Sequence, residues 1–214
     1  MDSFAKMLAL SLYDIGSAQF GAFKLKLHEK NPNAPLSPIY LNLRTPDNKN
    51  GPLQPIHVSA VAQCMRRVCE DAGLEFSAVA GVPKAGNPFA HSFVQGTEHG
   101  LIMLNKVEED GKRRIAEVAL GTWPKGATTL VIDDLITQAD SKIECIRALE
   151  AADMKVKDVV VLVDREQGGR EQLAQYGYQL HAVFTLTELL AFYVEQGKIS
   201  AEKHDEVLAY IHSS

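Results

Sequence analysis

The chain has 214 residues, 46% of them hydrophobic, enough for one α/β domain with a small elaboration. A net charge of −5, with no basic run longer than residues 112–114, argues against a surface that grips nucleic-acid phosphates. Three cysteines without metal-ligand spacing read as ordinary thiols of a reducing compartment, and no apolar run approaches membrane-spanning length, so a cytoplasmic protein is expected.

Apolar residues at helical spacing (Phe4, Met7, Leu8, Leu12, Ile15) predict a helix over Ser3 to Ile15, with Ser3 as N-cap and Gly16 as stop. Alternation predicts strands at Phe23 to Leu27 and Ile39 to Leu43, separated by a proline-rich loop. The polar stretch Pro46 to Pro55 marks a boundary between an N-terminal subdomain, 1–50, and a core, 51–195; residues 196–214 form a C-terminal helix. Within the core the pattern gives helix 57–72 closed by Gly73, strand Ala78 to Val82, a Gly/Pro turn into a short helix, and strand Leu101 to Leu104 before a charged stretch, 105–118. Strand 129–133, helix 141–152, strand 158–163, helix 169–176 and strand 179–184 follow, then helices at about 185–195 and 200–211. Strands alternating with helices at this spacing predict a mostly parallel, doubly wound sheet with helices on both faces.

The most informative segment is TTLVIDDLITQADSK, Thr128 to Lys142: a β-branched strand, the acids Asp133 and Asp134, a polar turn, and a helix. In open parallel sheets ligands bind where strands end and helices begin, because unpaired helix N–H groups attract anions there. Paired carboxylates at that point suit a ribose diol or a divalent cation, both of which take oxygen ligands. A second strand, Asp158 to Val163, ends in Asp164-Arg165-Glu166-Gln167-Gly168-Gly169.

The first segment resembles the phosphoribosyl-diphosphate motif of type I phosphoribosyltransferases, and the second resembles the VDREQGG wording of orotate phosphoribosyltransferases. Phe20 to Lys26 and Ser37 to Arg44 resemble that family's N-terminal substrate region. The resemblance runs from about residue 10 to 195 and implies the type I phosphoribosyltransferase fold. It implies orotate and phosphoribosyl diphosphate as substrates, Mg²⁺ as cofactor, orotidine 5′-monophosphate and pyrophosphate as products, and a homodimer. Asp133 and Asp134 would face the ribose, with any metal reaching them through the substrate. Thr137, Gln138, Ala139, Asp140 and Ser141 would cradle the 5-phosphate, and Lys84 and Ala85, in the Gly81 to Pro88 loop, the pyrophosphate; a plain βα turn reads the same way. Lys26 would reach both substrates, although Lys24 and Lys26 on an alternating strand would both face water in any case. Arg165 and Thr137 would hold orotate, the planar guanidinium matching its carboxylate, unless Arg165 only pairs with Asp164 or Glu166. Tyr40 and Leu41 fall where the family stacks the pyrimidine, and core packing serves equally for both.

Two segments depart from the family. Ala139-Asp140 stands where Gly-Gly is usual: Ala139 makes a positive-φ turn costlier, and a carboxylate about 5 Å from a phosphate charge costs roughly 3 kcal/mol at an effective dielectric near 20. Asp140 could turn aside as a helix cap, but the expectation is that it weakens phosphoribosyl-diphosphate binding and leaves activity weak or lost. The family's lid pattern is missing from 105–114, where Lys106, Lys112 and Arg113 are the substitute cations; a self-solvating charged hairpin is the other reading. The alternative function is a non-catalytic paralogue acting as a ligand-binding regulatory or assembly subunit. A nucleic-acid-binding regulator on this fold fits the acidic balance poorly.

Overall fold

A computed structural model describes residues 1–24, 28, 31–109, 112–120 and 126–212, with the backbone alone for 106–109 and 112–120. The elements in chain order are α1 (Ser3–Asp14), β1 (Ala18–Phe23), β2 (Ser37–Leu41), α2 (Pro55–Asp71), β3 (Ala78–Gly81), α3 (Asn87–Val94), β4 (Gly100–Glu109), β5 (Lys112–Leu120), β6 (Thr128–Ile136), α4 (Asp140–Ala151), β7 (Lys155–Asp164), α5 (Gly169–Gln175), β8 (Gln179–Thr185), α6 (Leu186–Glu195) and α7 (Ala201–His212).

The main sheet runs β5-β4-β3-β6-β7-β8, and β1 pairs with β2 as a separate antiparallel ribbon. Strands β4, β3, β6, β7 and β8 are mutually parallel, and β5 folds back antiparallel on β4. The chain winds outward from β3 to β4, then returns to the other side of β3 with β6 and continues outward through β7 and β8. Strand order therefore reverses between β3 and β6. Helices leaving adjacent strands at such a reversal cover opposite faces and leave a crevice at the strands' carboxyl ends.

The pleat sorts the core into two layers. Val79, Leu130, Ile132, Val160, Leu162 and Phe184 face a cluster that includes residues of α1, α2, α3, α6 and α7. Ala80, Val131, Val159 and Val161 face the other cluster, with Ile143, Ile146 and Leu149 of α4 and Leu173 of α5. Val159 through Val163 are fully buried, as expected for a strand covered on both faces. The C-terminal helices are tied to the start of the chain: buried Tyr193 donates to Ala9 O at 2.9 Å, and Tyr13 Oη donates to Lys198 O at 2.7 Å. All three cysteines are buried, and loss of hydration pushes the Cys64 thiol up to about 11 and the Cys69 thiol to about 12. Among the described residues, no helix is long and apolar enough to cross a membrane.

Several expectations shift. Asp2, not Ser3, caps α1, accepting the Ala5 N–H at 2.7 Å. Strand β1 lies upstream of the predicted 23–27, and residues 25–27 are outside the described set. Strand β6 continues past the acids to Ile136, because Asp133 and Leu135 still pair with Val161 and Val163 of β7. Of the charged stretch 105–118, residues 105–109 and 112–118 pair as antiparallel β4 and β5, with Glu109 opposite Lys112.

Candidate active site

Three neighbouring strand ends build the crevice. After β3 the chain turns through Val82 to Gly86, and Val82 N–H donates to Ile132 O of β6 at 2.8 Å. A Cβ on Gly86 would sit 2.3 Å from that same Ile132 oxygen, so only glycine lets this loop lie against the strand that carries the acids. The Pro83–Lys84 peptide in this loop is cis. Lys84 is exposed, Ala85 half-buried. Lys84 lines a cleft of about 430 Å³ with Thr45, Asp47, Asn48, Asn87, Pro88 and His91. Asn87 Oδ1 is buried there without a partner among the described residues, an acceptor open to a ligand's donor. Sequence reasoning found Lys84 but not Asn87 or His91, which follow it on α3.

At the end of β6 the acids are already engaged. Buried Asp133 receives Lys142 Nζ at 2.6 Å on Oδ2 and the Asp134 N–H at 2.9 Å on Oδ1. Lys142 is itself buried and also donates to Leu135 O at 2.6 Å. Asp134 Oδ1 accepts the Leu135 N–H at 2.8 Å. Solvent reaches part of Asp134, yet it lies deep enough that lost hydration, followed by the charge of Asp133, pushes its carboxyl up to about 7 against the pull of Lys142. Near neutral pH, Asp134 can accept a hydrogen bond from a hydroxyl or donate one. Three of the four carboxylate oxygens thus already accept bonds from the protein. The described residues contain no cluster of three or more metal-ligating side chains.

Lys142 is the residue that sequence reasoning missed. Lysines are seldom buried, and nothing in the helical pattern marks one as such. The available signal was its place in the first turn of α4, where the helix dipole disfavours a cation unless a carboxylate holds it.

The turn 137–141 corrects the expectation for Asp140. Ala139 sits at φ −91°, not in the left-handed region, so alanine meets no penalty there. Asp140 makes no capping bond with α4 either. Its exposed carboxylate is directed to α5, where Gln172 Nε2 donates to Oδ1 at 2.9 Å. Thr137 and Ser141 are half-buried, and Gln138 is exposed. The amides of Asp140, Ser141 and Lys142 open α4 and have no carbonyl one turn back to bond, which makes them a ready anion cradle.

At the end of β7, Arg165 N–H donates to Ile136 O at 2.9 Å, setting Arg165 beside Thr137. Its side chain is buried, and guanidinium atoms Nε and Nη2 have no partner among the described residues. Burial pulls its pKa below the ordinary value, against the opposing interaction with Tyr210. Pairing with Asp164 or Glu166 is not observed. Buried Asp164 takes Arg170 at 3.0 Å instead, and Glu166 Oε2 accepts the Thr187 N–H at the start of α6 at 2.8 Å. Two buried donors without a partner are an arrangement that a planar carboxylate would complete.

On β2, Leu41 is buried in the core, which favours packing for that residue. Tyr40 is half-buried and accepts from Arg44 Nη1 at 2.9 Å. Lys26 lies outside the described residues, as do the side chains of Lys106, Lys112 and Arg113.

Residues 53–180 match the model of the phosphoribosyl transferase domain, which is more than half the chain. The chain belongs to the phosphoribosyltransferase family. Relatives of this phosphoribosyltransferase include the uridine 5′-monophosphate synthase of Bos taurus, 34% identical over 98% of this chain and 41% of that one. The orotate phosphoribosyltransferase of Halobacterium salinarum is 31% identical over 62% of this chain and 73% of its own. Among solved structures, Leishmania donovani UMP synthase matches 98% of this chain and 42% of that chain with a TM-score of 0.79 and 28% identity. The chain spans about two-fifths of the length of the bovine relative it matches. The fold, five parallel strands flanked by helices, is the one these neighbours share.

Proposed function

We propose that this phosphoribosyltransferase transfers the phosphoribosyl group of phosphoribosyl diphosphate to orotate, giving orotidine 5′-monophosphate and pyrophosphate for pyrimidine synthesis. The observation that carries the reading is buried Arg165, whose Nε and Nη2 have no partner among the described residues, on the loop next to the turn that opens α4. One site would take the flat carboxylate of a pyrimidine acid, and the other a phosphate. Names of relatives that act on orotate support the same substrate class.

In this reading the 5-phosphate sits on the amides that open α4, with the Ser141 hydroxyl beside them. Asp134, able to donate or accept, meets the ribose hydroxyls, while Asp133 is held by Lys142 and shapes the floor. Lys84, with the Asn87 and His91 cleft, faces the pyrophosphate. Arg165 and Thr137 orient orotate so that its ring nitrogen approaches the anomeric carbon as the pyrophosphate bond breaks. Negative charge at Asp133 and Asp134 favours the cationic sugar that develops. Bound Mg²⁺ would neutralise the leaving pyrophosphate. With three carboxylate oxygens already committed, the acid pair suits a metal brought in by the substrate's own oxygens better than a resident one. The reading includes a cytoplasmic homodimer, a substrate-binding N-terminal subdomain at 1–50 and a core at 51–195.

The test measures orotate consumption with phosphoribosyl diphosphate and Mg²⁺, beside direct titration of each substrate. Saturable turnover is expected. Binding of neither substrate at millimolar concentration would remove the reading, and sedimentation as a monomer at micromolar concentration would remove the dimer.

A further inference from the structure

Asp140 poses a problem that the structure solves with a residue from another strand's loop. A carboxylate at the first position of a helix is drawn to that helix's own opening N–H groups. Those are the amides that the 5-phosphate would need, so Asp140 is a built-in competitor for the phosphate. It is nevertheless held aside.

The hold is Gln172. Gly169, which opens α5, lies so close to the turn that a Cβ there would be 2.7 Å from Thr137 O and 2.5 Å from the Ile136 side chain. One turn later, Gln172 reaches the loop with both ends of its amide. Oε1 accepts the Ala139 N–H at 2.7 Å, and Nε2 donates to Asp140 Oδ1 at 2.9 Å. A side-chain amide suits this place, since its oxygen accepts while its nitrogen donates. The same two bonds fix the backbone of Ala139 and set the direction of the Asp140 carboxylate.

We propose that Gln172 is a positioning residue for the sugar 5-phosphate: it clamps the turn and keeps the Asp140 carboxylate away from the amides that open α4. The proposal rests on reading 137–141 as the phosphate turn. Gln172 itself need not touch the substrate. It links the two motifs of the chain, since α5 follows directly from the segment that carries Arg165.

The experiment titrates phosphoribosyl diphosphate with Mg²⁺, and separately orotate, into wild type, Gln172→Glu, and Gln172→Glu combined with Asp140→Asn. Gln172→Glu still accepts the Ala139 N–H but repels Asp140. It should weaken phosphoribosyl-diphosphate binding at least tenfold and leave orotate binding within twofold. Adding Asp140→Asn restores a donor–acceptor pair with the roles exchanged and should return affinity to within threefold of wild type. Gln172→Ala, alone and with Asp140→Ala, repeats the comparison without a new charge. Equal losses with and without the change at Asp140, or no loss in Gln172→Glu, would overturn the proposal while leaving the proposed activity standing. If wild type binds neither substrate, the functional reading has failed and this one falls with it.

Discussion

The ends of β6 and β7 lie side by side and treat charge in opposite ways. At β6 each acid has a protein partner: Asp133 has Lys142, Asp134 has the Leu135 amide, and Asp140 has Gln172. At β7 the acids are settled too, Asp164 by Arg170 and Glu166 by the start of α6, yet buried Arg165 is left with two bare donors. A compensated charge holds shape and is costly to remove. An uncompensated one costs stability in the free protein and recovers it when a ligand binds. In the proposed reading, the two loops therefore separate architecture from recognition within a few residues of each other.

The largest expected effect is at Lys142. Lys142→Met leaves Asp133 buried without its cation and should cost about 3–5 kcal/mol, roughly ten degrees or more in thermal unfolding. Adding Asp133→Asn should recover most of that loss. An unchanged melting temperature in the single variant would erase the contrast between the loops.

Next comes Arg165. Its side chain is buried in the free protein. Arg165→Met should melt no lower than wild type without ligand, because two buried donors without partners have been removed. Orotate affinity should fall about a hundredfold, near 2.7 kcal/mol. Lower stability with normal orotate binding would make Arg165 a structural residue like its neighbours.

A smaller effect concerns Asp134. Its folded-state pKa lies above the ordinary value of 3.8, so between there and about 7 the folded protein keeps a proton that the unfolded chain has lost. The stability this contributes is complete below the unfolded value and is lost as pH rises through about 7. Asp134→Asn should therefore melt close to wild type at pH 4 and above it at pH 8. Equal melting temperatures at both values would show that the acid pair is not strained. The smallest effect is expected from Ala139→Gly with Asp140→Gly. With Ala139 at ordinary φ and Asp140 turned to Gln172, affinity for phosphoribosyl diphosphate should change less than threefold. A tenfold gain would mean that the carboxylate still faces the phosphate.

The parallel sheet was legible because Val159 to Val163 can be nothing but a strand covered on both faces, and the acid pair after Ile132 marked the crevice. The true length of β6 was not, since aspartates usually end strands, whereas Asp133 stays paired through its backbone. Strand β1 slipped upstream because Phe20 and Phe23 give an alternating pattern little preference for one register over another. Arg165 was found by wording and Lys84 by its loop. Lys142 and Gln172 were hidden because their partners lie on other turns of the chain, and no local period records which polar side chain will bend inward.

The buried cysteines give this protein a clock that needs no engineering. A thiol reacts as its thiolate, and with Cys64 and Cys69 pushed to about 11 and about 12, almost none exists at neutral pH while the fold is closed. Alkylating reagents would find these sulfurs only in molecules that have opened. The rate of label uptake, read by mass, therefore reports how often the native core comes apart.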